Sequence, residues 1–153
     1  MFGGRNFEYY SEDSVLSGIM AANEIKGADE YGVYSYVKHF ALNDQETNRI
    51  YQLCLWSTEQ AIRETYLKAF EIAVKESNPW TVMTSYNKIN GTYTSESYGL
   101  IADILRSEWG FKGTVMTDWF GGKNVVPQVH AGNDLLMPGT ALQSTSIIEA
   151  VRN

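Results

Sequence analysis

Apolar side chains recur every three or four residues in several stretches of the chain, a spacing typical of amphipathic helices. The predicted helices run over Asp13–Lys26, from Ser57 to before Pro79, from Ser95 or Ser97 to Gly110, and over Leu142–Val151. In the first helix the spacing is set by Val15, Leu16, Ile19, Met20 and Ile25. Ser11 or Asp13 can cap its start, and Gly27 is suited to ending it.

Short β-branched and aromatic runs lie between the predicted helices. They predict strands over residues 33–40, 81–86, 113–117 and 134–137. The polar stretch of residues 41–50 is predicted to be a loop at a strand end, and Asn90-Gly91 is predicted to be a turn. Strands that alternate with helices indicate right-handed βαβ units and a parallel sheet, in either a doubly wound fold or a (β/α) barrel.

The positions of the polar residues favour the barrel. Lys38-His39, Ser85-Tyr86-Asn87 and Asp118-Trp119 each stand at the C-terminal end of a different predicted strand. Barrel enzymes build their active sites at that face, and a complete eight-unit barrel needs ~250 residues. The 153 residues therefore predict an α/β fold that is an incomplete part of a (β/α)8 TIM-type barrel, with about four βα units.

Composition narrows the possible partners. Twelve Lys and Arg against eighteen Asp and Glu give a net charge of −6 without a basic block, which argues against nucleic acid as a partner. Apolar runs such as Leu135-Leu136-Met137 are far shorter than a membrane-spanning helix, so no membrane partner is expected. Cys54 is interpreted as a small core residue. No leader pattern precedes Gly3, and the compartment stays open.

The residues that could carry chemistry each have an ordinary alternative. Asp118 could act as a nucleophile or base, or could cap the following turn. His39 could be catalytic or a structural histidine, and a Ser85-His39-Asp118 arrangement lacks the Gly-x-Ser-x-Gly elbow. Gly121-Gly122-Lys123 lacks the remaining residues of a phosphate-binding loop. Aromatic residues make up 13% of the chain, and their faces suit both a core and sugar rings.

Four ordered motifs resemble glycoside hydrolase family 3, the β-glucosidase and β-xylosidase type. They are Gly4-Arg5-Asn6-Phe7-Glu8 with Tyr10-Ser11-Glu12-Asp13, Lys38-His39-Phe40 with Gln45-Glu46 and Arg49, Val82-Met83-Thr84-Ser85-Tyr86-Asn87 with Asn90-Gly91, and Glu108-Trp109-Gly110-Phe111 with Gly113 and Thr117-Asp118-Trp119. The resemblance extends over nearly the whole chain. Two positions depart from the usual pattern, because Ser14 replaces a common proline and Thr117 replaces a common serine.

The resemblance implies a retaining glycosidase in which Asp118 is the catalytic nucleophile. It implies that Arg5, Lys38 and His39 hydrogen-bond sugar hydroxyls, and that Arg49, Met83 and Tyr86 line the same pocket. Tyr86 could also hydrogen-bond the Asp118 carboxylate, and Trp119 could stack on a sugar face. The expected substrate is a β-linked oligosaccharide or glycoside with a terminal glucosyl or xylosyl residue. No metal and no organic cofactor are implied, since the mechanism uses two carboxyl groups and water.

The resemblance also implies that parts of the enzyme lie outside this chain. Residues 1–153 would form a partial N-terminal barrel domain, without the first strands and without the C-terminal α/β sandwich that carries the general acid/base glutamate. Ala41-Leu42-Asn43-Asp44 replaces the acid/base loop of the β-N-acetylglucosaminidase branch, which favours β-glucosidase or β-xylosidase. A non-catalytic sugar-binding protein or an inert fragment is the alternative. Uncovered barrel edges would favour self-association.

Overall fold

The structure is a computed structural model that describes residues 3–153. The α-helices are α1 (Ser14–Asp29), α2 (Glu59–Ala61), α3 (Lys68–Ser77), α4 (Val125–Ala131) and α5 (Ala141–Arg152). The strands are β1 (Tyr36–Phe40), β2 (Cys54–Leu55), β3 (Thr81–Thr84), β4 (Lys88–Ile89), β5 (Thr92–Tyr93) and β6 (Thr114–Met116). Two π-helical segments, Ile62–Tyr66 and Gly99–Glu108, and two 3₁₀ turns, Asn6–Glu8 and Thr94–Glu96, complete the elements.

Three of the predicted strands form one parallel sheet in the order β1-β3-β6. Tyr36 pairs with Thr81, and Val82 pairs with Val115. The fourth predicted strand is reduced to a single parallel bridge between Met116 and Leu135. The parallel βαβ arrangement is confirmed, but β1 begins at Tyr36 rather than at residue 33, because Thr81 opposite Tyr36 is the first residue of β3.

The hydrophobic core lies between this sheet and the helices that follow its strands. Val82 and Val115 are fully buried in the sheet, and Leu67 and Leu105 are fully buried in the helical layer. Phe40 lies between Phe70 and Trp109, with ring centroids 5.1 and 5.9 Å away. This packing fixes the C-terminal ends of the three strands relative to one another.

Helix α1 packs on α3 through its smallest residues. Gly18 and Ala22 are buried, and a Cβ atom on Gly18 would lie 2.7 Å from Ile72 Cβ. Four of the five apolar residues that set the helical spacing are instead about half exposed, namely Val15, Leu16, Ile19 and Met20. Small residues let the two helix backbones approach closely, so these four larger apolar side chains lie on the outer face of α1, whereas Ile25 is buried.

A second, small sheet and helix α4 are absent from the sequence-based prediction. The sheet has the order β2-β4-β5, with the expected turn at Asn90-Gly91 joining β4 to β5. Cys54 lies half-buried in β2 and accepts a hydrogen bond from the Gly91 amide at 3.2 Å. Cys54 is therefore a half-buried residue rather than the core residue predicted, because β2 is an edge strand of this small sheet.

The remaining helices follow the prediction with shifted ends. The helix predicted from Ser57 is interrupted by the π-helical segment Ile62–Tyr66, and the one predicted to end at Gly110 is π-helical over Gly99–Glu108. Helix α5 has a complete capping box between Thr140 and Gln143. Across residues 3–153, the helices are too short or too polar to span a lipid bilayer.

Candidate active site

The site residues follow the C-terminal ends of the three parallel strands. His39 lies near the end of β1, Tyr86 follows β3, and Asp118 follows β6. Parallel strands bring these ends to one edge of the sheet. The structure places His39 Nε2 3.5 Å from the Asp118 Oδ2 atom, so side chains separated by 79 positions in the sequence meet there.

The two carboxylate oxygens of Asp118 have different surroundings. Oδ1 accepts a hydrogen bond from the Trp119 amide at 2.7 Å. Oδ2 is buried and has no hydrogen-bond partner among residues 3–153. One oxygen therefore orients the carboxylate, as in the turn-capping interpretation, while the other keeps its lone pairs free to react.

The loop that carries Asp118 is fixed by backbone and side-chain hydrogen bonds. The Met137 amide donates to Thr117 Oγ1 at 2.8 Å, and the Phe120 amide donates to the Met137 carbonyl at 3.0 Å. The Gly121 amide donates to the Asp118 carbonyl at 2.8 Å. Thr117, which departs from the family's usual serine, thus supplies a hydroxyl oxygen that accepts a backbone hydrogen bond.

His39 is buried, with 4% of its surface exposed. Its Nδ1 atom lies 2.9 Å from the hydroxyl of Tyr9, and its Nε2 atom faces Asp118. Burial lowers the pKa of His39, against the opposing attraction of the Asp118 carboxylate. The imidazole is therefore neutral near pH 7.

The cationic residues of the site are paired with carboxylates. Glu8 accepts hydrogen bonds from Arg5 at 2.5 Å and from Lys38 at 3.1 Å. Glu46 forms an ion pair with Arg49 at 2.8 Å. About a third of the Arg5 and Lys38 side chains stays exposed (30% and 34%), which leaves N–H groups available to a ligand.

Glu8 is held in its charged form by these contacts. Burial alone would raise the pKa of Glu8, but the hydrogen bonds from Arg5 and Lys38 outweigh it and the pKa is lowered. The same pairing, above all the hydrogen bond to Glu8, raises the pKa of Arg5. Glu8 therefore acts as a fixed anion that orients two cations.

Tyr86 supports Asp118 through the backbone of the next residue. Its hydroxyl donates to the Trp119 carbonyl at 2.6 Å, and the Arg49 guanidinium lies 4.6 Å from its ring centroid. Burial, and next the Asp118 charge, raise the pKa of Tyr86 to about 12. Its hydroxyl thus remains a donor beside the carboxylate over the whole neutral range.

Met83 and Trp119 are the apolar residues predicted for the site. Met83 is a half-buried residue of β3 that pairs with Met116. Trp119 is 53% exposed, and its ring meets Phe120 edge to face at 6.1 Å. Its free indole face is a surface on which an apolar sugar face can stack.

Other sequence-based alternatives find no support. Ser85 is buried and its hydroxyl donates to the Ala41 carbonyl at 2.9 Å, so it is engaged in structure rather than in a Ser-His-Asp triad. The Lys123 amide donates to Glu96 at 2.6 Å, so this amide of the Gly121-Gly122-Lys123 segment is not available to bind a phosphate group. Within residues 3–153, no cluster of three His, Cys, Asp or Glu side chains could hold a metal ion.

Three contacts of the candidate site were missed at the sequence level: Glu8 with Arg5, Glu46 with Arg49, and Tyr9 with His39. Glu8 and Glu46 lie within the quoted motifs without an assigned role, although the three-residue spacing from Arg5 and from Arg49 could have indicated the ion pairs. Tyr9 carried no signal, because its partner His39 is 30 positions away in a different element.

Comparison with known proteins relates this site to a group of enzymes. Residues 2–151 match the model of the "Glycosyl hydrolase family 3 N terminal domain". Beta-glucosidase B of Emericella nidulans is 53% identical over 137 residues, which cover 90% of this chain and 16% of that protein. The chain spans about a sixth of the length of such curated relatives (16% and 17%).

Solved structures match to a similar extent. Beta-glucosidase 3B from Thermotoga neapolitana in complex with glucose has a TM-score of 0.92 and 52% identity, covering 98% of this chain and 22% of that one. The beta-glucosidase from Kluyveromyces marxianus in complex with glucose has a TM-score of 0.91 and 40% identity, covering 97% of this chain and 18% of that one. These matches confirm the predicted fold class, an α/β part of a TIM-type barrel.

Proposed function

The chain belongs to glycosyl hydrolase family 3, and from that premise we propose that it is the nucleophile-bearing part of a retaining β-glucosidase. Asp118 is the nucleophile. Arg5, Lys38, His39, Arg49, Met83, Tyr86 and Trp119 form the pocket for the sugar that is transferred. In this proposal residues 1–153 are part of an N-terminal barrel domain, and the α/β sandwich domain lies outside them.

One observation carries the proposal: the buried, unpartnered Oδ2 atom of Asp118. A carboxylate that serves only as a turn cap or a counterion has its oxygens hydrogen-bonded or solvated. Here the other oxygen fixes the orientation through the Trp119 amide, and the neutral His39 leaves Oδ2 without a full counter-charge. An oriented carboxylate with one free oxygen is what attack on a carbon atom requires.

The reaction proceeds in two displacements. Asp118 Oδ2 attacks the anomeric carbon while the bond from that carbon to the leaving oxygen breaks, which gives a covalent glycosyl ester. Water then attacks the same carbon, the ester bond breaks, and the free sugar leaves with its original configuration. The N–H groups of Arg5 and Lys38 donate to sugar hydroxyls during both steps.

The leaving oxygen must receive a proton, and the carboxylates near the nucleophile are unsuited to supplying it. Glu8 and Glu46 are both engaged in ion pairs with the site's cations. A retaining site needs a second carboxyl group ~5–5.5 Å from the first. We therefore assign the acid/base to a residue outside this chain. The proposed chemistry uses two carboxyl groups and water, with no metal or organic cofactor.

The substrate class proposed is a β-linked oligosaccharide or glycoside with a terminal glucosyl residue, and xylosyl is the second choice. The glucosyl assignment rests on relatives that are called beta-glucosidases and on neighbours solved with glucose. Glucose carries one hydroxymethyl group more than xylose. Comparing kcat/KM for the nitrophenyl β-glucoside and β-xyloside separates the two.

A segment replacement tests the proposal. The matching segment of Thermotoga neapolitana beta-glucosidase 3B, which is 22% of that chain, is replaced by this chain, so that the remaining parts come from the relative. We expect the chimera to hydrolyse an aryl β-glucoside, and Asp118→Ala in the chimera to abolish turnover without unfolding it. Asp103→Ala is the matched control outside the site. A folded chimera that keeps full turnover after Asp118→Ala contradicts the assignment.

The alternative function, sugar binding without hydrolysis, is favoured by one specific observation: the carboxylates beside Asp118 are ion-paired. On this basis the 153-residue chain by itself binds glucose weakly and hydrolyses unactivated glycosides undetectably. A dinitrophenyl β-glucoside needs little protonation of its leaving group. Any residual activity of the chain therefore appears first with that substrate.

We propose that the isolated chain associates with further copies of itself. Within residues 3–153, β1 pairs only with β3, so its other edge is free. A cavity of about 590 Å³ lies beside β1 between α1 and α3, lined in part by Tyr36, Phe70 and Ala73. Free strand edges and exposed apolar faces favour association between copies.

A further inference from the structure

We propose that Tyr9 is a positioning residue whose hydroxyl donates to His39 Nδ1 and so fixes the imidazole with its single N–H on Nε2, the nitrogen that lies 3.5 Å from Asp118 Oδ2. The statement about the tautomer stands on the geometry alone. The consequence for the nucleophile rests on the proposed function of Asp118.

Three side chains form a continuous chain of polar contacts. The Tyr9 hydroxyl lies 2.9 Å from His39 Nδ1, and His39 Nε2 lies 3.5 Å from Asp118 Oδ2. The Tyr9 and His39 rings are 6.3 Å apart and tilted by 45°. Tyr9 comes from the segment before α1, His39 from β1 and Asp118 from the loop after β6, so the contact links three separate parts of the fold.

The surroundings decide which nitrogen carries the proton. A neutral imidazole has one N–H donor and one lone-pair acceptor. With the proton on Nδ1, the Nε2 lone pair would face the Asp118 carboxylate oxygen in a buried site, where such repulsion is poorly screened. With the proton on Nε2, a donor rather than a lone pair lies 3.5 Å from Oδ2, while Nδ1 accepts from Tyr9. Only the second arrangement is favourable at both nitrogens.

The other charged groups near His39 do not change this choice. Burial, which is the largest influence, and next Lys38 and Arg5 disfavour the protonated imidazolium, whereas Asp118 and Glu8 favour it, and the pKa of His39 is lowered. The Tyr9 hydroxyl keeps its proton, because burial raises its pKa to about 12. Tyr9 therefore remains a donor, and His39 a neutral acceptor at Nδ1, over the neutral range.

This arrangement places an uncharged N–H next to the reactive oxygen. At 3.5 Å from Oδ2 the dipole is close without forming a hydrogen bond, and it does not neutralise Oδ2 as a lysine or a charged histidine would. Without the Tyr9 hydroxyl, Nδ1 loses its donor and the ring loses the contact that fixes its plane. Tyr9 thus acts on Asp118 through His39.

Imidazole ¹⁵N chemical shifts of the labelled 153-residue chain test the inference. The chain has only two histidines, and His130, which stacks on Tyr98 at 5.1 Å, is the internal reference. We expect His39 to show a protonated Nε2 and a hydrogen-bonded, unprotonated Nδ1. In Tyr9→Phe we expect the ¹⁵N chemical shift of His39 Nδ1 to move to the value of an acceptor without a hydrogen bond. We also expect the Nε2 proton of His39 to exchange with water more than tenfold faster than in the wild-type chain.

The matched control is Tyr10→Phe, which removes the neighbouring hydroxyl. That hydroxyl donates to Glu24, so the His39 signals should stay unchanged in this variant. A protonated Nδ1 in the wild-type chain overturns the proposal, as does an Nδ1 shift that is the same in Tyr9→Phe and wild type. Unfolding of Tyr9→Phe would be seen as a change in the His130 signals. In that case the tautomer of His39 in the wild-type chain still tests the proposal. The measurement does not need turnover. Its result is therefore independent of whether the proposed glycosidase function is correct.

Discussion

Two glycines of helix α1 give opposite predictions for the same substitution. Gly18 faces α3, where a Cβ atom would lie 2.7 Å from Ile72 Cβ and 3.0 Å from the Ala69 carbonyl oxygen. A Cβ atom on Gly27, in the same helix, would have no such neighbour within 4 Å in the part of the chain that the structure describes. Gly18→Ala and Gly27→Ala thus gain the same helix propensity and differ only in packing.

The magnitudes follow from these distances. Alanine in a helix interior is more stable than glycine by about 1 kcal/mol, so Gly27→Ala should raise the free energy of unfolding by about 0.5–1 kcal/mol. At Gly18 the added methyl group lies well inside contact distance, and overpacking of this kind costs about 1–3 kcal/mol. After the propensity gain, Gly18→Ala should lower the free energy of unfolding by roughly 1 kcal/mol.

The assay is urea and thermal unfolding followed by circular dichroism, at a protein concentration low enough to avoid association. A difference of about 2 kcal/mol between the two variants corresponds to roughly 4–8 °C in Tm for a domain of this size. The packing of α1 on α3 would be refuted if Gly18→Ala were as stable as Gly27→Ala. It would also be refuted if both variants were less stable than wild type by the same amount.

Further predictions concern association and pH. Leu16→Glu places a charge on the half-exposed apolar face of α1 and should reduce self-association, measured by sedimentation velocity. Glu24→Gln is the control on the same helix. Unchanged association of Leu16→Glu would exclude this face as the contact between copies. The lowered pKa of Glu8 means that its ion pairs stabilise the fold above the ordinary glutamate pKa of about 4.3, and that this stability is lost as the pH falls through the lowered value. Glu8→Gln should therefore flatten the acid side of the stability profile, and an unchanged slope would contradict the pairing.

Local patterns predicted the site better than its surroundings. Asp118 and Tyr86 could be placed because each follows a short strand, and parallel strands bring such positions to one edge. The outer face of α1 could not be inferred from periodicity, since the same spacing fits either face when small residues such as Gly18 make the contact. Helix α4 was missed because Pro127 lies in its first turn, which a seven-residue helix tolerates there.

Contacts between distant segments were the least predictable part. The strands of the second sheet have two residues each, too few for an alternating pattern to be visible. The Tyr9 contact with His39 depends on how the segment before α1 crosses the end of β1, and no local feature of the sequence encodes that. The Arg5–Glu8 and Glu46–Arg49 ion pairs are local and could have been inferred from spacing alone, whereas the Lys38–Glu8 pair joins residues 30 positions apart.

The most direct test of the central claim uses azide with the Asp118→Ala form of the chimera and a dinitrophenyl β-glucoside. Without its nucleophile the site leaves room for azide on the face opposite the leaving group, and one displacement inverts the anomeric carbon. We predict that azide restores turnover and that the product is α-glucosyl azide, identified by NMR. Azide should give no glucosyl azide of that configuration with the unmodified chimera. Recovery of β-glucosyl azide from Asp118→Ala would contradict the account, since it would show that another residue still acts as the nucleophile.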